Sequence, residues 1–225
     1  MASHLDLEEQ EQLDQLKAFW NQYGNLISWV LIAVLGAYAA WNGWNFYQRE
    51  QGAKAGALYD EIEKAAQAVD ADRATRIFAD MQSRYPRATF THQAGLLAAR
   101  VESEKNQYDA AKASLAWVAD HAGDDGLQGI ARLRLAGLLL DTAKYDEALK
   151  QLDEIKSPEF VALAADRRGD VLLAQGKSAD AQAAYLKAWT AMDPKLDYRR
   201  LIEAKLNLLG VQPSASAASG AEAAK

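Results

Sequence analysis

Few side chains in these 225 residues can do covalent or metal chemistry. His4, His92 and His121 are the groups best suited to proton transfer or metal ligation near neutral pH, and each stands alone, with no second histidine at ligand spacing. Cysteine is absent, which removes thiolate nucleophiles, a disulfide framework and cysteine-type zinc sites together. Asp124-Asp125-Gly126 opens like a calcium loop but lacks the spaced ligands and closing glutamate, so it reads as a connector between helices. Arg168-Gly169-Asp170 has the letters of an adhesion tripeptide, yet it falls inside a predicted helix where Gly169 serves packing. Asp60-Glu61-Ile62-Glu63 reads as a solvated helix face. No glycine-rich phosphate loop or G-x-S-x-G elbow occurs, so no cofactor, no small-molecule substrate and no enzymatic reaction is implied. The chemistry left is recognition: burial of apolar surface and pairing of charges with a partner.

The elements that position such a surface begin with an anchor. Residues Ala18 to Gln48 carry no charge, and the 19 residues Leu26–Trp44 are apolar enough to cross a bilayer. A helix rising about 1.5 Å per residue needs about 20 residues for a hydrocarbon core of about 30 Å. Trp20, Tyr23 and Trp29 mark one end and Trp41, Trp44 and Tyr47 the other, as aromatic rings do at headgroup level. The expected layout is a leader and interfacial helix over 1–24, a transmembrane helix over 25–48, a helical domain over 49–210 and a disordered Ala/Ser-rich tail over 211–225. Asp6 with Glu9 reads as the start of the leader helix. Gly36, Ala40 and Gly43 share one face of the span, a small-residue stripe that would let another membrane helix approach.

Two alternatives concern the anchor. Ala37-Tyr38-Ala39 has the form of a signal-peptide cleavage site, but the leader is acidic and the apolar run continues through Trp44, which favours an uncleaved anchor. Orientation stays open on charge: Lys17 precedes the span and Arg49 and Lys54 follow it, a near tie that leans toward a cytoplasmic C-terminal domain. Beyond the span, 24 basic and 26 acidic side chains nearly cancel, which argues against nucleic acid.

The remainder repeats. Asn106-Gln107-Tyr108-Asp109-Ala110-Ala111, Ala143-Lys144-Tyr145-Asp146-Glu147-Ala148 and Gly176-Lys177-Ser178-Ala179-Asp180-Ala181 share one template, and their closing alanines lie 37 and 33 residues apart. A further step back lands on Ala74. The period and two helices per unit look like tetratricopeptide repeats. In that register the first-helix small position is Ala99, Ala136 and Gly169, with Ile62 departing from the pattern. The large apolar position four after each closing alanine is Phe78, Leu115, Leu152 and Tyr185. The expected fold is all-α: a single N-terminal transmembrane helix, then a tetratricopeptide-like α-solenoid of about four helix pairs, capped by a helix over Asp197–Leu209.

Transferring the repeat family's groove positions gives Leu96 and Arg100, then Leu133, Gly137 and Leu140, then Leu163, Asp166, Asp170 and Leu173. These do not match the Lys/Asn/Arg clamp that some tetratricopeptide adaptors use for a terminal carboxylate. The mixture suits an apolar segment or a partner helix.

Taken in order, the acidic leader with Leu16-Lys17-Ala18-Phe19-Trp20, the span ending in aromatics, Arg167-Arg168-Gly169-Asp170-Val171-Leu172-Leu173 and the closing Lys205-Leu206-Asn207-Leu208-Leu209 resemble the YfgM family, the ancillary subunit of the bacterial SecYEG translocon. The resemblance covers about residues 8–210. It implies an inner-membrane protein of a Gram-negative bacterium with its amino terminus cytoplasmic and its repeats periplasmic. It also implies association with the translocon and with a membrane-anchored chaperone of the PpiD type, near emerging secretory clients. A general membrane-tethered assembly scaffold and a cytoplasm-facing adaptor are the alternatives that the residues themselves leave open.

Overall fold

The structure, a computed structural model, describes residues 7–213. The expected helix start at Asp6 and tail residues 214–225 lie outside the described residues. Among those described there are nine α-helices and no strand. Helix α1 spans Leu7–Gln67, followed by α2 (Ala71–Arg84), α3 (Thr89–Glu104), α4 (Tyr108–His121), α5 (Asp125–Asp141), α6 (Tyr145–Asp153), α7 (Val161–Ala174), α8 (Ser178–Ala191) and α9 (Tyr198–Leu208). A 3₁₀ turn at Pro158–Phe160 precedes α7, its proline in the first helical position where a missing N–H costs nothing.

The chain divides into two compact units after Gln51. In the first, leader and apolar run belong to one helix without a break, because no proline interrupts it and its glycines are isolated. This helix is long and apolar enough to cross a membrane, with a mean hydropathy of 1.5 over its apolar stretch. Trp29, Leu31, Ile32, Leu35, Tyr38 and Trp41 are all exposed, on every side of the helix.

The second unit is a stack in which, from α2 to α9, each helix packs on its chain neighbour, and alternate helices α3, α5 and α7 also touch. The closing alanines Ala74, Ala111, Ala148 and Ala181 are all 0% exposed, and Phe78, Leu115, Leu152 and Tyr185 are buried four residues later. Ile62, where smaller residues stand in later units, is fully buried in the same core. Gly169 is required by close approach: a Cβ there would lie 2.4 Å from Cε1 of Tyr185.

The repeat is also written in the backbone. Val69, Asn106, Ala143, Gly176 and Gly210 all have φ between 51° and 79°. Each is followed by an N–H that donates to the carbonyl five residues back: Asp70 to Ala65, Gln107 to Glu102, Lys144 to Leu139, Lys177 to Leu172 and Val211 to Leu206, at 2.8–3.0 Å. This is a Schellman closure, which satisfies end-of-helix carbonyls by one left-handed residue. Its fifth occurrence, after α9, puts that helix in the first-helix register of a fifth unit.

Polar groups also sit inside the stack, Glu102 and His92 among them. The Glu102 carboxylate, fully buried, accepts from Thr75 Oγ1 (2.7 Å, from α2) and Ser114 Oγ (2.9 Å, from α4), so it bridges three helices. The His92 ring lies against Trp117, which also stacks on His121 at 4.7 Å. In the tautomer protonated at Nε2, His92 donates to Pro86 O over 3.1 Å.

Two outcomes follow. Ala143 is exposed and pays for a left-handed φ of 55°, so Ala143→Gly should raise the unfolding free energy by about 0.5–1 kcal/mol in urea titration. Burial, with the His121 charge adding to it, holds the His92 imidazole below its ordinary range. The unfolded chain therefore takes up that proton first, and stability falls as pH drops below about 6.5 toward the folded value. His92→Gln should flatten this part of the stability–pH profile; an unchanged slope would mean that other groups cause it.

Candidate partner-binding site

The first helices α3, α5 and α7 each turn one face to an open cleft of about 650 Å³. Its walls carry Ala99, Arg100 and Ser103 from α3, Leu133, Arg134, Gly137, Leu138 and Asp141 from α5, and Arg167 from α7, with Leu115 and Tyr108 from α4. Three of the residues expected in a groove, Arg100, Leu133 and Gly137, come together here. Leu96 is buried in the core, and its carbonyl accepts from Arg134 Nη1 at 3.3 Å. Leu140 packs against the main core, and Leu163 packs with the second core under α8 and α9. Leu173 is exposed outside the cleft. The cleft's Arg134, Arg167, Tyr108 and Asp141 were not among the expected residues.

Asp166 and Asp170 do other work. Lys205 of α9 donates to both oxygens of Asp166, each at 2.9 Å, and to Asp170 Oδ1 at 2.7 Å. Tyr198 Oη donates to Asp166 Oδ2 at 2.8 Å and Tyr185 Oη to Asp170 Oδ1 at 2.8 Å. Asp166 is 1% exposed, and one ammonium and one hydroxyl take the place of the water its carboxyl group has lost. Burial, then donation to the carboxylates, pushes both phenols well above their ordinary range, which keeps them neutral donors. Ile202 and Leu206 complete the attachment of α9 by burying fully. The helical spacing of Leu201, Ala204, Lys205 and Leu208 does not mark the packed face of α9: Leu201 and Leu208 are exposed, and Lys205 reaches inward beside Ile202 and Leu206.

Gly36, Ala40 and Gly43 lie on an exposed face of α1, and nothing stands within 4 Å of where a Cβ at Gly36 or Gly43 would be. Among the described residues no group of three or more His, Asp or Glu side chains converges to hold a metal ion. What the site offers is a surface with an apolar floor and guanidinium walls.

The ion cluster yields a double-mutant test. Lys205→Met strips Asp166 of its cation and should cost about 3 kcal/mol in urea unfolding. Adding Asp166→Asn removes the stranded charge, so the double variant should be more stable than Lys205→Met alone. A double variant as weak as the sum of its parts would show that the pair is not coupled.

A family model described as a tetratricopeptide repeat-like domain matches residues 17–211. Several relatives carry the name "Ancillary SecYEG translocon subunit". That of Neisseria gonorrhoeae is 33% identical over 213 residues, 93% of this chain and 100% of the relative. That of Haemophilus influenzae is 30% identical over 184 residues, 81% and 89% of the two chains. That of Escherichia coli is 28% identical over 204 residues, 90% and 97%. Matched over nearly its whole length by both kinds of comparison, the chain belongs to the tetratricopeptide repeat-like family that includes these ancillary translocon subunits.

Proposed function

We propose that this protein is a membrane-anchored, non-catalytic accessory of the Sec translocon. Residues 25–48 cross the inner membrane once, the leader is cytoplasmic, and the repeats over 49–210 work in the periplasm beside a membrane-anchored chaperone of the PpiD type and emerging secretory clients. The observation that carries this reading is the end-to-end match to relatives named as ancillary subunits of SecYEG, joined to a helix whose whole circumference is apolar and exposed. From Tyr23 to Trp44 that helix rises about 31 Å, close to the thickness of a hydrocarbon core.

The physical logic is one of address. A solenoid tethered at the exit of the translocon meets chaperone and client at a high effective concentration, so contacts too weak for free solution are enough. The cleft along α3, α5 and α7 is the surface we assign to those contacts, because it is open, Leu133 is accessible on its floor and its walls carry hydrogen-bonding side chains. The stripe Gly36, Ala40 and Gly43 is the assigned approach for a neighbouring membrane helix, since small residues allow backbones to come close.

Affinity purification of the full-length chain from mildly solubilised inner membranes should recover SecYEG and the chaperone. A periplasm-dependent phosphatase fused after the repeats should be active, and a fluorescent protein that matures only in the cytoplasm should stay dark. Loss of translocon recovery with the span intact would remove the translocon assignment. Fluorescence of the second fusion would reverse the orientation and the partner set with it.

A further inference from the structure

Arg100, Arg134 and Arg167 come from three successive first helices and stand in one cleft, with Asp141 the carboxylate among its lining residues and Glu104 and Asp170 at its margin. None of the three is held tightly. Arg100 Nε reaches Glu104 and Arg167 Nη1 reaches Asp170 only at 3.5 Å, and Arg134 Nη1 reaches the uncharged carbonyl of Leu96 at 3.3 Å. Asp170 is committed elsewhere, since it already accepts from Lys205 at 2.7 Å and from Tyr185 at 2.8 Å. Short, charge-assisted bonds run 2.7–2.9 Å for a guanidinium on a carboxylate, so each arginine has capacity left for a stronger acceptor. Between them lies an apolar floor whose accessible side chain is Leu133, with Ala99, Leu115 and Leu138 reaching it from the core.

We infer that the cleft takes an acidic–apolar polypeptide segment, one in which Asp or Glu side chains meet Arg100, Arg134 and Arg167 while alternate apolar side chains lie on the leucine floor. This deepens, and rests on, the assignment of the cleft as the partner site. Charge complementarity selects the occupant. A basic segment would set its cations against three guanidinium groups, and a purely apolar one would bury them without acceptors. A terminal carboxylate is not required, because the arginines are spread over three helices and do not converge on one point.

Anisotropy of a fluorescein-labelled peptide alternating Glu and Leu, titrated with the full-length chain in detergent, provides the test. A Gln–Leu peptide, a Lys–Leu peptide and single-stranded oligothymidylate serve as comparisons. The Glu–Leu peptide should bind roughly tenfold more tightly than the Gln–Leu peptide, and raising salt from about 0.05 to about 0.5 M should erase most of that difference. Arg100→Gln and Arg134→Gln should each weaken it roughly threefold, and Arg134→Glu should shift preference toward the Lys–Leu peptide. Arg87→Gln, on the loop before α3, should change nothing. The arginines substituted are side chains at an open surface, and circular dichroism melts verify that each variant folds.

Equal affinity for the Glu–Leu and Gln–Leu peptides, or competition by the oligonucleotide as strong as by the peptide, overturns the inference. A photocrosslinker replacing Leu133 separates this from the broader reading. Capture of both peptides alike at that position removes only the charge preference. Capture of neither, with a translocon complex still recovered, removes the cleft as the partner site and leaves the translocon assignment standing.

Discussion

The stack is built on repeated helix crossings that admit a methyl group or a hydrogen and little else. Ala74, Ala111, Ala148 and Ala181 are fully buried at four such crossings, each with a large side chain buried one turn later. At Gly169 even a methyl would overlap the Tyr185 ring. Close approach brings the larger residues on either side into contact, and dispersion summed over those contacts is what holds helices this short. Isolated helices of 9 to 17 residues are marginal in water, so α2 to α9 owe their existence to these crossings. An anchored surface is available to a partner only because this packing keeps its first helices aligned.

Much of that was legible because packing constraints recur in the chain as residue types at fixed intervals. The closing alanines and the large residues four positions on are visible in the letters, and they all proved buried. The turns between paired helices were less legible, since only Gly176 and Gly210 advertise a left-handed residue. Val69, Asn106 and Ala143 adopt the same φ without the expected glycine, because helices on both sides dictate the geometry and the turn residue bears the strain. The uninterrupted course of α1 through leader and apolar run was hidden for a related reason: composition shifts mark environments, and a helix need not break where its surroundings change.

The cleft shows where reading by register stops. Arg100, Leu133 and Gly137 reached the surface that repeat positions assign them, but Asp166 and Asp170 point their oxygens at Lys205, Tyr198 and Tyr185. Backbone position places a residue on a face, while the destination of a carboxylate is decided by which cation can reach it. That cation comes from α9, 39 residues after Asp166, and nothing local to α7 foretells it. With those two acids neutralised, arginine dominates the character of the surface.

A stack whose members touch only near neighbours along the chain behaves as a one-dimensional lattice. Among the described residues α9 packs on α8 and is tied to α7 through Lys205, with Ile202 and Leu206 buried, whereas α5 packs on α3, α4, α6 and α7. Of the described helices α9 therefore has fewer couplings to lose than those that wall the arginine cleft, and it should loosen before them under load.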